Sequence, residues 1–215
     1  MGYIFLFTFV FFTVWHLLSC VTRNEDNRKF SKGFILFSII AFYLSVDDDP
    51  SWLVFLAITF SWIGDLLLIP RGNKWFAMGG ASFMVSHRLF AICYGIRLNF
   101  NNISFIYFIV FGVIYLLIVI FVFAKLKEYL PKVLFYPMFF YLLLNATMNT
   151  FAICRFVSDT TRGPFITMVG AILFFISDVF LFFVRFNKNS RLKTHFAVML
   201  TYSLGELLIV IGLMI

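Results

Sequence analysis

The chain has 215 residues, of which 62% are hydrophobic and only 13% are charged. A soluble domain has nearer half apolar and a quarter charged residues, so this composition excludes one. One membrane crossing takes roughly 20 apolar residues, which leaves room for about eight crossings and no separate soluble domain. The net charge of +7 is then expected in loops that face anionic lipid, and nucleic acid is not an expected partner.

Charged residues, Pro, Gly and Asn divide the chain into eight apolar segments. This pattern predicts an all-α polytopic membrane protein with eight transmembrane helices, in a single domain over residues 1–215. The predicted spans cover approximately residues 2–20, 32–46, 52–70, 76–98, 102–124, 131–154, 164–184 and 194–215. The three cysteines are isolated from one another, so neither a disulfide framework nor a thiolate metal site is expected.

Lys and Arg are distributed unevenly among the loops, and this predicts the orientation. The loops after the odd-numbered spans hold 13 of the 17 basic residues: Arg23, Arg28, Lys29, Lys32, Arg71, Lys74, Lys125, Lys127, Lys132, Arg185, Lys188, Arg191 and Lys193. These loops are expected to be cytoplasmic, with both termini extracytoplasmic or lumenal. The sequence leaves open whether the membrane is a bacterial plasma membrane or the endoplasmic reticulum, and it does not define the oligomeric state.

Two aspartates stand out because they occur in apolar spans. Asp65 in the third span and Asp178 in the seventh each lie near the C-terminal end of the span, followed by Arg71 and Arg185. The two spans run in the same direction, so both carboxyls are expected at similar depth toward the cytoplasmic side. A duplicated four-helix unit would place an Asp followed by an Arg at the same position in both spans. An ionisable group at such depth costs at least about 2.5–3.5 kcal/mol, so each is expected to face the interior of the bundle and to have a partner or a function.

Other polar residues repeat at helical spacing and extend this interior face. The expected pocket residues are Ser61, His87, Arg88, Tyr141, Asn145, Ser177, Tyr202 and Glu206. Arg88 is expected to pair with a carboxylate or to meet a phosphate. Hydrogen bonding between helices is the alternative role for each member of the set. Together they predict an internal polar pocket toward the cytoplasmic side, in which paired carboxyls could act as general acid and base.

The ordered motifs resemble those of the YhhN-type lysoplasmalogenase family. The segment 61–68 reads Ser-Trp-Ile-Gly-Asp-Leu-Leu-Leu, and residues 79–83 read Gly-Gly-Ala-Ser-Phe before His87. In the second half, residues 170–174 lead to Ser177-Asp178, and Tyr202 follows. The similarity covers roughly residues 34–212. Ser86, Phe90 and Glu206 depart from the family pattern.

This resemblance implies an eight-helix membrane hydrolase that acts on the vinyl ether bond of lysoplasmalogens. The implied products are a fatty aldehyde and glycerophosphocholine or glycerophosphoethanolamine, with Asp65 and Asp178 as the catalytic pair. The implied substrate is a lysophospholipid taken from the surrounding membrane lipid, and neither a metal nor an organic cofactor is expected.

Three other classes of protein compete with this interpretation. A small-molecule or lipid transporter also combines repeated helices with buried carboxyls. A metal-dependent membrane amidohydrolase would need clustered histidines, whereas His16, His87 and His195 lie on three different spans. An intramembrane aspartyl protease would need Gly where Trp62 stands and Tyr where Ser177 stands.

Overall fold

The computed structural model describes residues 2–187 and 195–215. Within those ranges the chain forms eight α-helices and no strand: α1 (Tyr3–Val21), α2 (Glu25–Val46), α3 (Trp52–Leu67), α4 (Asn73–Ile96), α5 (Phe105–Leu126), α6 (Lys132–Ser158), α7 (Arg162–Phe186) and α8 (Phe196–Met214). Seven of these are long and apolar enough to cross a membrane, and α3 is shorter, with 16 residues. The predicted class, an all-helical polytopic membrane protein, is confirmed.

The helix ends differ most from expectation at α2, which begins at Glu25 rather than near residue 32. The side chain of Asn24 caps the helix by accepting a hydrogen bond from the backbone N–H of Asn27. Glu25 and Asp26 in the first turn complement the positive end of the helix dipole. Lys32, predicted in the first loop, therefore lies about two turns inside α2.

The α6 helix also continues one turn beyond its predicted end, to Ser158. Arg155, predicted in a loop, is consequently a buried helical residue that donates a hydrogen bond to Thr167 Oγ1 at 3.3 Å. Lys188, Arg191 and Lys193 of the seventh loop, and the predicted start of the eighth span at residue 194, lie outside the described residues.

Most consecutive helices pack against each other, and α7 and α8 form the most extensive contact. The exception is α4, which packs on α6 rather than on α5. A Cβ atom added at Gly170 would lie 2.7 Å from the backbone oxygen of Gly205. Gly163 and Gly212 make a second close approach two turns away, where an added Cβ would again meet backbone atoms. Small residues allow this contact, because dispersion forces between helices in lipid depend on close packing. The contact fixes α8 against the helix that carries Asp178.

The helices leave a space in the middle of the bundle. In the part of the chain that the structure describes, no Cα atom of α3 or α4 lies within 8 Å of one in α7. Side chains occupy the inner part of this gap: the rings of Phe83, His87, Phe174 and Tyr202 pack with centroids 4.9–6.5 Å apart. The outer part of the gap is a cavity.

Candidate active site

A cavity of about 470 Å³ lies between α2, α3, α7 and α8. Asp65 and Asp178 both lie in its wall, although they are separated by 113 positions in the sequence. Its other polar lining residues are His16, Glu25, Arg28, Lys29, Lys32, Arg71, Arg185, His195 and Tyr202. The volume falls within the range of about 300–1,000 Å³ typical of small-molecule sites.

Asp65 is held by two donors from different helices. Lys32 Nζ on α2 lies 3.1 Å from Asp65 Oδ1, and the hydroxyl of Tyr202 on α8 donates to Asp65 Oδ2 at 2.9 Å. The Asp65 and Lys32 side chains are 3% and 15% exposed. A nearly buried ammonium therefore neutralises this carboxylate, which joins α2, α3 and α8 at one point.

Asp178 has a different environment. The amide of Asn145 on α6 donates to Asp178 Oδ2 at 2.5 Å, and His87 Nε2 lies 3.6 Å from the same oxygen. Within the described ranges, Asp178 has no Lys or Arg partner. Two carboxyls in one cavity thus have distinct partners: an ammonium for Asp65, and an amide with an imidazole for Asp178.

A chain of hydrogen bonds orients the Asn145 amide. Tyr115 on α5 donates to Asn149 Oδ1 at 3.1 Å, and Asn149 Nδ2 donates to Asn145 Oδ1 at 2.8 Å. The oxygen of Asn145 is therefore occupied as an acceptor, and its NH₂ group is directed to Asp178. The side chains involved are buried, so these hydrogen bonds replace the bonds to water that their polar atoms would otherwise make.

His87 lies behind Asp178, inside the aromatic cluster. Its ring centroid is 4.9 Å from Phe174 and 5.3 Å from Tyr141. Neither ring nitrogen has a hydrogen-bond partner among the described residues. His87 is therefore a fully buried imidazole beside the Asp178 carboxyl.

Three more of the predicted pocket residues are buried but outside the cavity wall. Ser61 Oγ lies 2.8 Å from Ser86 Oγ and joins α3 to α4, whereas Ser177 donates to the backbone oxygen of Val198 and joins α7 to α8. Both oxygens of Glu206 are buried and have no hydrogen-bond partner within the described part of the chain. Ser61 and Ser177 thus form contacts between helices.

The prediction that Arg88 lines the pocket is wrong. Its side chain is exposed on the outer face of α4. Adjacent residues on a helix point about 100° apart, so the turn that buries His87 directs Arg88 outward. The cation of the site is Lys32 instead. The available signal was Asn24 followed by Glu25 and Asp26, a helix start that places Lys32 within the span.

The mouth of the cavity is strongly basic. Among the described residues, Arg28, Lys29, Arg71 and Arg185 surround it with one acidic residue, Glu25, which accepts a hydrogen bond from Arg71 at 2.6 Å. Arg185 stacks on Phe76, with its guanidinium carbon 4.2 Å from the ring centroid. Burial, together with the positive charges of Arg28, Lys32 and Arg185, lowers the pKa of His195 to about 4. The mouth is therefore suited to an anionic group.

Fold and cavity together define a helical membrane protein with two buried carboxyls beside a basic opening. The profile of the YhhN family matches residues 27–213, which is most of the chain. The chain therefore belongs to the YhhN family, the family of the lysoplasmalogenases, and this membership supports a hydrolase-type, lysoplasmalogenase-like function. No curated protein and no solved structure is significantly similar to it.

Proposed function

We propose that the protein hydrolyses the vinyl ether bond of lysoplasmalogens, with Asp65 and Asp178 as the catalytic pair. The products are a fatty aldehyde and glycerophosphocholine or glycerophosphoethanolamine. Family membership supports the reaction class. The single observation that carries the mechanism is that two carboxyls with different partners share one cavity, since acid–base hydrolysis needs one protonated and one ionised group.

The partners of the carboxyls suggest which group has which role. The Lys32 ammonium at 3.1 Å favours the ionised form of Asp65. Asp178 has a neutral amide at 2.5 Å and, among the described residues, no cationic Lys or Arg. We therefore assign the transferable proton to Asp178 and the permanent carboxylate to Asp65.

The reaction follows from these roles. The Asp178 carboxyl gives its proton to the β-carbon of the enol ether, whose double-bond electrons form the new C–H bond. The α-carbon becomes an oxocarbenium ion, which the Asp65 carboxylate stabilises. Asp65 then takes a proton from water as the water oxygen bonds to that carbon. The resulting hemiacetal collapses when Asp65 returns the proton to the glycerol oxygen and Asp178 accepts the hydroxyl proton. One water is consumed, and both carboxyls regain their starting states.

The basic mouth suggests where the lipid headgroup binds and which side of the membrane the cavity faces. A phosphodiester would meet Arg28, Arg71 and Arg185, all at the side of the odd loops. Since basic loops favour the cytoplasm, the site would open to the cytoplasmic leaflet, with both termini on the opposite face. Cysteine-accessibility labelling that found Arg185 outside and Ile215 inside would overturn this orientation.

Aldehyde release from lysoplasmenylethanolamine by the purified protein tests the proposal. Asp65→Asn and Asp178→Asn should each reduce the rate at least about 10²-fold, because Asn can neither transfer the proton nor carry the charge. Asp48→Asn, in a loop remote from the cavity, is the matched control. Heavy water should slow the wild type, since proton transfer to carbon limits the rate.

Retention of more than about a tenth of the activity by both Asn variants would show that the aspartates are structural. Movement of intact lysolipid across vesicles without aldehyde release would favour the transporter instead.

A further inference from the structure

A second, apolar cleft lies between α4, α6 and α7. Its volume is about 80 Å³, and its lining is almost entirely carbon: Leu68, Phe76, Ala77, Gly80, Ala81, Phe83, Met84, Leu134, Pro137, Met138, Tyr141, Leu181 and Phe182. Ala81 on α4 and Pro137 on α6 are exposed, so the cleft opens on the outer surface of the bundle, where lipid would lie. Small side chains on α4 create the space, since Ala77, Gly80 and Ala81 form its wall there.

The apolar cleft adjoins the acidic cavity. Leu68, Phe76, Phe83 and Leu181 line both spaces. These four residues form the boundary between a region with charged walls and a region with apolar walls. A ligand that fills both spaces must therefore be amphiphilic, with its polar part on the side of Asp65 and Asp178.

We propose that the apolar cleft binds the hydrocarbon chain of a single-chain lysophospholipid and selects for chain length. This inference rests on the function proposed above. Charge complementarity supports the choice of ligand, because Arg28, Arg71 and Arg185 suit a phosphodiester on the far side of that boundary. The small volume suits the first few methylene groups of one chain, and the rest of the chain would pass through the exposed opening into lipid.

The cleft would discriminate between hydrocarbon chains by steric fit rather than by hydrophobic transfer energy. The chain comes from the bilayer, which is already apolar, so its transfer into the cleft gains little from the hydrophobic effect. Filling the cleft should therefore weaken the binding of long chains by steric exclusion and affect chains too short to reach that far much less.

Gly80 offers a direct test. A Cβ atom added there would have only Tyr141 Cδ2 within 4 Å, at 3.9 Å, so a larger side chain can enter the cleft without meeting the backbone. Gly79, its neighbour, is unsuitable because an added Cβ would lie 3.1 Å from the backbone oxygen of Gly64. Gly112 on α5 is the matched control, since nothing lies within 4 Å of a Cβ added there.

The experiment compares hexadecenyl and propenyl lysoplasmalogens in wild type, Gly80→Leu and Gly112→Leu. The propenyl chain ends at the boundary and does not enter the cleft, so we expect Gly80→Leu to lower the kcat/KM ratio of the hexadecenyl to the propenyl substrate by at least about tenfold, and Gly112→Leu to leave that ratio unchanged. Ala81→Phe, at the exposed opening, should lower the same ratio and keeps the test independent of the fold of the Gly80 variant. An unchanged ratio in both Gly80→Leu and Ala81→Phe would overturn the proposal.

A binding measurement separates this proposal from the proposed reaction. Saturated-ether lysophospholipids with hexadecyl and propyl chains cannot be hydrolysed at that bond, and their affinity can be measured by competition with a fluorescent lysolipid. A tenfold loss of preference for the hexadecyl chain in Gly80→Leu would support the chain site even if the wild type released no aldehyde. Absence of any chain-length preference in wild-type binding would refute the chain site even if hydrolysis were observed.

Discussion

Lys32→Met removes the only ammonium seen beside Asp65 in the described structure and replaces it with an apolar chain of similar length. The Nζ–Oδ1 distance of 3.1 Å corresponds to an attraction of about 5 kcal/mol at an effective dielectric constant of about 20. Because removing one partner of a buried pair leaves the other charge uncompensated, we expect a loss of about 3–5 kcal/mol in the free energy of unfolding. For a chain of this size that loss lowers Tm by about 6–20 °C.

Thiol labelling provides the assay. Cys20, Cys93 and Cys154 are free and at most 3% exposed, so a thiol-reactive fluorophore reports unfolding in detergent. Lys29→Met is the matched control one turn earlier on α2: its pair with Asp26 is exposed, and such pairs contribute at most about 1 kcal/mol.

A double-mutant cycle isolates the ion pair from other effects of the substitution. Lys32→Met combined with Asp65→Asn removes both charges of the pair, so the double variant should be more stable than Lys32→Met alone. The coupling energy should be at least about 2 kcal/mol, well above the error of such cycles. A coupling below about 0.5 kcal/mol would refute the view that Lys32 neutralises Asp65.

Three other predictions address the helix contact, the site and the mouth. Gly170→Ala should cost about 1–3 kcal/mol of stability, because the new Cβ would lie 2.7 Å from backbone atoms of α8; Gly112→Ala is the control, and equal Tm values would contradict the close contact. Asn145→Ala should lower kcat by about tenfold or more with a smaller effect on KM, because in the proposed mechanism the Asn145 amide would stabilise the Asp178 anion that forms as the proton leaves; a change confined to KM would assign Asn145 to substrate binding. Tm should fall between pH 6.5 and pH 4, because unfolded His195 gains a proton there, whereas its pKa in the folded protein is about 4. His195→Asn should reduce that slope, and an identical slope would show that other groups cause it.

The fold class and both aspartates could be predicted from the sequence because lipid restricts the choices so strongly. A carboxyl in an apolar span must face the interior, and helical spacing then indicates which residues share its face, as with Tyr202. Lys32 could not be found by periodicity, since it reaches Asp65 from another helix and α2 begins at Glu25, seven residues before the predicted span. Arg88 lies outside the pocket although His87 is buried, because adjacent residues of a helix point in different directions.

The position of the reactive bond in the proposed complex follows from the division between the two spaces. In a lysoplasmalogen the vinyl ether joins the hydrocarbon chain to the glycerol oxygen, so it lies at the junction of the apolar and polar parts of the molecule. With the chain in the apolar cleft and the phosphodiester at the basic mouth, this junction falls near Phe76 and Phe83, which line both spaces. The carboxyls of Asp65 and Asp178 lie on the polar side of that boundary, where the cavity can admit water from the mouth. A bond placed deeper in the chain would be held away from both carboxyls. The same division that selects an amphiphile would therefore direct hydrolysis to the ether bond.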